Sequence, residues 1–193
     1  MPPSSVPPST ADGVAAALLL ARGRVAALGL LPNTEAVAWH SFRAAIICLP
    51  AFIAVRLVAF GDRAAPPNGL LVAMAGEVAG YVIAWVGFAL LSRVLAGQAQ
   101  RAEAWPRFIA AWNWSSAVQY VLLILLSVPP LLGVPAWLSN GLGLAAFGYL
   151  VWLEWFVAKH ALGVAGATAA MFVLLDFAMG LFIGGVTARI AGG

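Results

Sequence analysis

Charged side chains are scarce in this sequence: its 193 residues include ten Lys and Arg and seven Asp and Glu, only 9% of the chain. A soluble domain usually carries about 25% charged residues, so these are too few to cover a water-exposed surface. Apolar residues make up 63% of the chain, and its mean hydropathy is +0.98. The composition therefore predicts an integral membrane protein and excludes a soluble globular domain.

The residues of metal, disulfide and hydrolytic chemistry are also few. The single cysteine, Cys48, lies in an apolar run and cannot form an intramolecular disulfide. Two histidines without a cysteine cluster do not make a structural zinc site. The chain has no HExxH, GxSxG or GxxxxGK[ST] motif, so the usual signatures of metalloproteases, serine hydrolases and nucleotide sites are missing. We predict no catalytic residue, no cofactor and no metal ion.

Two N-terminal segments precede the long apolar runs. Residues 1–12 are rich in Pro and Ser, which predicts a disordered N-terminus. Residues 13–35 are apolar but contain Arg22 and Arg24, which as the centre of a span would together cost about 5–7 kcal/mol. Their leucines and valines return only about 2–5 kcal/mol on the same scale. This segment is therefore predicted to be an amphipathic helix that lies on the membrane surface.

The remainder of the chain, residues 40–190, predicts an all-α bundle that crosses the membrane five times. Each span needs about 20 consecutive apolar residues, and Pro and Gly mark the turns between neighbouring spans. The predicted spans are about 42–60, 70–92, 108–128, 136–158 and 166–188.

The distribution of basic residues predicts the orientation of the chain in a cell inner membrane. Seven Lys and Arg fall on the side of the N-terminus and three on the opposite side, which places the N-terminus in the cytoplasm and the C-terminus outside. Because these residues are scattered between spans, they form no basic patch, and we predict no binding of nucleic acid. The first group is Arg22, Arg24, Arg43, Arg93, Arg101, Arg107 and Lys159, and the second is Arg56, Arg63 and Arg189.

Ionisable residues within spans are costly in hydrocarbon and are candidates for function. Arg56 lies near the outer end of the first span and Glu77 near the outer start of the second. Because these two spans are consecutive and antiparallel, we expect the two charges to meet in the outer leaflet. A structural ion pair and a functional pair both remain open.

Asp176 lies near the middle of the fifth span, without an evident cation at its depth. Gly180, Gly184 and Ala188 continue its helical face, and such a ridge of small residues lets another helix approach closely. We therefore expect the carboxyl group to point into the bundle. It is either a functional group or a hydrogen-bonding group between helices.

A second ridge of small residues, Gly76, Gly80 and Ala84, lies beside Glu77 in the second span. Ridges of this kind predict either tight packing within the chain or a face for a homo-oligomer or another membrane protein. The sequence leaves both alternatives open.

The third span carries its polar residues on one face of its first half, which predicts a stripe that faces protein. From the similar depths of Asn113 and Glu154 we expect a polar cluster at the cytoplasmic side that also takes in Arg107. The alternatives are that Asn113 serves only as a hydrogen-bonding group between helices and that the Glu154 side chain extends to the lipid headgroups. The stripe consists of Asn113, Ser116, Gln119 and Tyr120.

The order of these parts resembles that of the bacterial relatives of the Yip1 family. A cytoplasmic N-terminal segment precedes five spans, and the basic stretch "RAEAWPRFIAAWNWSS" stands before the third span in a similar place. The segments "AWNWS" and "WLEWFVA" also look like those of small bacterial membrane proteins. The resemblance implies a membrane-embedded interaction or organising protein and no catalytic residues.

Two functions follow as hypotheses. The first is a non-enzymatic membrane protein that contacts the lipid bilayer and acts through helix contacts with itself or with other membrane proteins. The alternative is a small transporter or proton-coupled permease component that uses the intramembrane carboxylates, Asp176 and Glu77 first among them.

Overall fold

The computed structural model describes residues 9–61 and 65–192, and every regular element in these residues is a helix. The described ranges contain two short 3₁₀ helices, Val25–Leu30 and Ala102–Ala104, and seven α-helices. The α-helices are α1 (Thr10–Leu20), α2 (Glu35–Ser41), α3 (Arg43–Gly61), α4 (Leu70–Gln98), α5 (Trp105–Leu131), α6 (Ala136–Leu162) and α7 (Gly166–Ala191).

Five helical segments are long and apolar enough to cross a membrane, which confirms the prediction of an all-α membrane bundle. Helices α2 and α3 together form the first of these segments, and α4 to α7 provide the other four. A helix of 27 residues such as α6 is about 40 Å long, whereas the hydrocarbon core is about 30 Å thick. The helices therefore continue past the apolar runs: α4 ends at Gln98 instead of residue 92, and α6 at Leu162 instead of residue 158.

The N-terminal segment is two helical pieces instead of the predicted single helix over 13–35. Helix α1 already begins at Thr10, so the prediction of disorder is wrong for residues 10–12, while residues 1–8 lie outside the described part of the chain. Ser9 starts the helix, since its hydroxyl accepts the Asp12 amide at 3.2 Å and the Asp12 carboxylate accepts the Ser9 amide at 2.9 Å. The hydrogen bonds from Ser9 hold the pKa of Asp12 below its ordinary value.

Charges lie only at the ends of α1, so the predicted polar face along this helix is not present. Arg22 and Arg24 follow the helix in a turn around Gly23, whose φ of +71° is a left-handed conformation that glycine adopts readily. One face of α1 packs against α5, while Val14 and Leu18 on the other face are exposed. A helix that is apolar on all sides belongs inside a protein or a bilayer.

The core of the bundle lies near one end, called end A, which carries the connections 99–104 and 163–165. Here α5 packs against α1, α2, α3 and α6, and buries large side chains such as Phe108 and Trp114. The opposite end, end B, carries the connections 65–69 and 132–135. No residue between Val121 and Ala145 is buried, so the α5–α6 hairpin extends from the core toward end B with little cover.

Candidate functional site

The polar stripe of α5 lines a cavity of about 190 Å³ between α4, α5 and α7. The four residues of the stripe are spaced three, three and one positions apart. This spacing places them on one side of the helix, so all of them reach the same space. The predicted direction of the stripe toward protein is confirmed. The cavity is lined by Asn113, Ser116, Gln119 and Tyr120 of α5, by Ala84, Trp85 and Phe88 of α4, by Asp176, Met179 and Gly180 of α7, and by Trp112.

Asp176 provides the carboxylate of this cavity, which we call the central cavity. It lies ten residues into α7, about 15 Å along the helix and thus near the middle of the bundle. The side chain is partly buried and faces the cavity, as predicted from the small residues that follow it. Gly180, one turn later, also lines the cavity and leaves space in front of the carboxylate.

Glu154 of α6 brings a second carboxylate to the same depth. The side-chain amide of Gln119 donates a hydrogen bond of 2.8 Å to Glu154 Oε1. Glu154 and Asp176 lie near enough for their charges to repel each other. Two carboxyl groups from neighbouring helices therefore flank the middle of α5, and Glu154 points toward this helix instead of the headgroups.

The predicted cluster of Asn113, Glu154 and Arg107 is not formed. Asn113 donates to the Ser41 hydroxyl at 2.9 Å, and the Arg107 guanidinium donates to the carbonyl of Leu31 at 3.2 Å. The reason is the length of α6: because the helix continues to residue 162, Glu154 is eight residues from its end and one turn deeper than predicted. At that depth its partner is Gln119, the third member of the stripe, and not Asn113.

Arg56 and Glu77 meet as predicted from their positions on antiparallel neighbours. Arg56 Nε lies 3.0 Å from Glu77 Oε2, and the Thr187 hydroxyl of α7 donates to Glu77 Oε1 at 3.1 Å. Only 12% of the Glu77 side chain is exposed, against 42% of Arg56. These groups line a second cavity of about 180 Å³, the end-B cavity.

The two cavities are neighbours along the bundle. Four residues line both of them, so the two cavities adjoin and are separated at most by these side chains: Ala84, Trp85, Tyr120 and Gly180. From end A to end B, the polar groups along this space are first Asn113, then Asp176, and last the pair of Arg56 and Glu77. A series of polar groups thus follows the interior of the bundle through the middle part of its length.

The glycine ridges have different roles. A methyl group at Gly80 would lie 2.9 Å from Ile183 Cγ2 and 2.9 Å from Thr187 Cγ2, and one at Gly76 would lie 3.0 Å from Ile190 Cγ2. The ridge of α4 is therefore used within the chain, against α7. Gly180 and Gly184 meet no atom within 4 Å and line the cavities instead.

Sequence reasoning missed three polar partners: Ser41, Thr187, and Gln119 in its contact with Glu154. Ser41 is fully buried and lies just before the predicted first span, so it had no assigned helix face. Thr187 lies eleven residues after Asp176, a spacing that returns a helix to the same face, and this periodicity could have identified it.

The chemistry available in this space is that of carboxylates, amides, hydroxyls and, in the end-B cavity, the Arg56 guanidinium. Within residues 9–61 and 65–192, no three His, Cys, Asp or Glu side chains come together as a metal site. Comparison with protein-family models, with curated proteins and with solved structures gives no match. What this site does has to be argued from its geometry.

Proposed function

We propose that this multi-pass membrane protein is a small transporter that moves a small solute or a proton through its polar interior. The observation that carries the proposal is the pair of adjoining cavities inside the bundle, with an ionisable group near the middle and an ion pair toward end B. Carboxylates are costly within hydrocarbon, and where they occur they mark pathways of ions, protons or substrates. This is the transport alternative of the two sequence-based hypotheses.

The membrane is proposed to be a cell inner membrane, with end A in the cytoplasm and end B outside. The sequence count of seven Lys and Arg on the N-terminal side against three on the opposite side supports this orientation. In that arrangement Asn113 and Ser116 are on the cytoplasmic side of Asp176, and Arg56 and Glu77 are on the outer side.

An interaction or organising function is the second candidate, and the α5–α6 hairpin favours it. Between Val121 and Ala145 no residue is buried, and Leu125, Trp137 and Leu144 are strongly exposed. Lipid can pack against such an apolar surface, and so can a helix of another membrane protein. The polar interior has no role in this second function, which makes the two candidates separable.

Proton movement in liposomes tests the transport proposal. Purified protein is reconstituted with a pH-sensitive dye inside the vesicles, and the decay of an imposed pH gradient is recorded. The wild type should speed the decay above that of empty vesicles, and Asp176→Asn should return it to the empty-vesicle rate, since the amide cannot take part in proton exchange.

Glu103→Gln is the matched control, because it removes a carboxylate whose side chain is 72% exposed in the connection at end A. This variant should keep the wild-type rate. Full activity in Asp176→Asn would contradict a path through the central cavity, and a wild-type rate equal to that of empty vesicles would exclude the proton as the transported species.

A further inference from the structure

The walls of the central cavity combine a carboxylate with aromatic rings. Asp176 shares the space with Trp85, Phe88, Trp112 and Tyr120. Phe88 and Trp112 are stacked with their ring centres 4.5 Å apart, so these rings form a fixed wall on the α4 and α5 sides. Aromatic faces attract a cation within about 6 Å of the ring centre, and tryptophan does so best.

The charge around the cavity has one sign. Glu154, held by Gln119, is not among the residues that line the cavity, so Asp176 is the carboxyl group that acts directly on this space. Among the described residues that line the central cavity, none is Lys or Arg. The nearest positive side chain along the path, that of Arg56, is paired with Glu77 in the end-B cavity. An anion would find no opposite charge in the central cavity, whereas a cation would find the Asp176 carboxylate.

The size of the cavity selects among cations. A volume of about 190 Å³ exceeds a benzene-binding cavity of roughly 150 Å³ and is several times the roughly 30 Å³ of one water. A proton or a bare metal ion would leave the aromatic walls without a contact. An ammonium group with a few carbon atoms fills the space, with its charge on the carboxylate and its carbon atoms against the rings.

We infer that the central cavity is a binding site for a small organic ammonium ion. The ammonium group lies at the Asp176 carboxylate, and its carbon substituents lie against Trp85 and Tyr120. Asn113, Ser116 and Gln119 supply hydrogen-bond partners on the side toward end A. The inference deepens the proposed transport function, since it names the class of solute that the path would carry.

Binding to the wild type tests this inference without any substitution. Isothermal titration calorimetry in detergent compares tert-butylammonium with two molecules of nearly the same shape, neutral tert-butanol and anionic pivalate. We expect saturable binding of the ammonium ion and an affinity at least about tenfold lower for the other two, because each hydrogen bond to a charged group gives roughly that factor. Equal binding of the alcohol or the anion would overturn the inference.

Three variants then locate the site. Asp176→Asn should weaken tert-butylammonium binding about tenfold or more, and Trp85→Leu about 3- to 30-fold, with Trp85→Phe in between. Glu103→Gln and Trp137→Leu are the controls, since both side chains are strongly exposed and far from this cavity in the fold, and they should bind as the wild type does. Wild-type affinity in Asp176→Asn would overturn the inference.

The two proposals fail separately. Ammonium binding that depends on Asp176, together with neither proton movement nor tert-butylammonium uptake in vesicles, would overturn transport and support the site. Proton movement that depends on Asp176, together with no preference for the ammonium ion, would overturn the ammonium site and support transport.

Discussion

The amide of Gln119 joins two of the three helices that carry the polar groups at the middle of the bundle. It lies on the α5 stripe that lines the central cavity and donates to Glu154 on α6, which in turn lies near Asp176 on α7. Glu154 is partly buried and does not line the cavity, so its carboxyl group is left without a hydrogen-bond partner when this donor is lost. The position of Glu154 thus depends on a single side chain.

Gln119→Leu is expected to destabilise the protein by about 1–3 kcal/mol, because it leaves the Glu154 carboxyl group without its partner. Adding Glu154→Leu should recover most of this loss, since both polar groups are then gone. Thermal unfolding in detergent micelles measures the effect. Ser127→Ala is the control, as that hydroxyl is exposed and bonds only to its own helix at Ile124. A double variant less stable than Gln119→Leu would count against the contact.

At the residue scale, the sequence predicted one contact between consecutive helices and missed another. Arg56 and Glu77 could be paired because consecutive spans are antiparallel and both residues lie near the same end. The partner of Glu154 could not be predicted, because its depth depends on where α6 ends. Apolar composition marks the hydrocarbon part of a helix and not the extra turn through Lys159 and His160.

At the scale of elements, α4 and α7 form the closest helix pair of the path. Their contact is set by Gly76 and Gly80, which lie against β-branched side chains of α7. Because β-branched side chains have few rotamers, they cannot move aside for an added methyl group. At Gly87 the nearest atom is the terminal Cε of Met179, at 2.8 Å from an added methyl group, and that side chain is flexible.

These contacts predict opposite results for two similar substitutions. Gly80→Ala should lower the free energy of unfolding by about 1–3 kcal/mol, since Ile183 and Thr187 would have to be displaced. Gly87→Ala should be neutral or slightly stabilising, because alanine favours the helix and Met179 can rearrange. Thermal unfolding of both variants in detergent decides this. The reverse order of stabilities would show that α4 and α7 do not pack in this way.

The N-terminal segment shows that summed membrane-insertion free energies of single residues do not predict where a helix ends. Arg22 and Arg24 make a single helix over 13–35 too costly as a span, which led to the prediction of a surface helix. The turn at Gly23 instead ends the helical pieces near the arginines, so the apolar residues before and after them pack separately. Gly13 allows α1 to contact the Trp114 ring, a close approach that composition does not reveal.

At the scale of the whole molecule, the five-span bundle was predictable because its signal is long and strong. Runs of about 20 apolar residues separated by Pro and Gly predict the crossings within a few residues. The polar interior could not be predicted, because it depends on which faces of α4, α5 and α7 meet. Only the stripe of α5 and the direction of Asp176 were visible as patterns of spacing.

The orientation of the whole molecule can be tested with fusions. Alkaline phosphatase, which is active only outside the cytoplasm, should be active when fused after residue 192 at end B. The same enzyme inserted at residue 100, in the connection at end A, should be inactive. The opposite pattern would invert the proposed direction of the path.

Water access to the polar interior is the most direct test of the central claim. In a Cys48→Ala background, Ser116→Cys places a thiol in the central cavity, Gly184→Cys places one in the end-B cavity, and Leu144→Cys places one on the apolar outer surface. A membrane-impermeant methanethiosulfonate should label both cavity thiols at least about tenfold faster than the lipid-facing one, because only a thiol in contact with water forms the reactive thiolate. Labelling of Ser116→Cys and Gly184→Cys as slow as that of Leu144→Cys would contradict a path through the bundle.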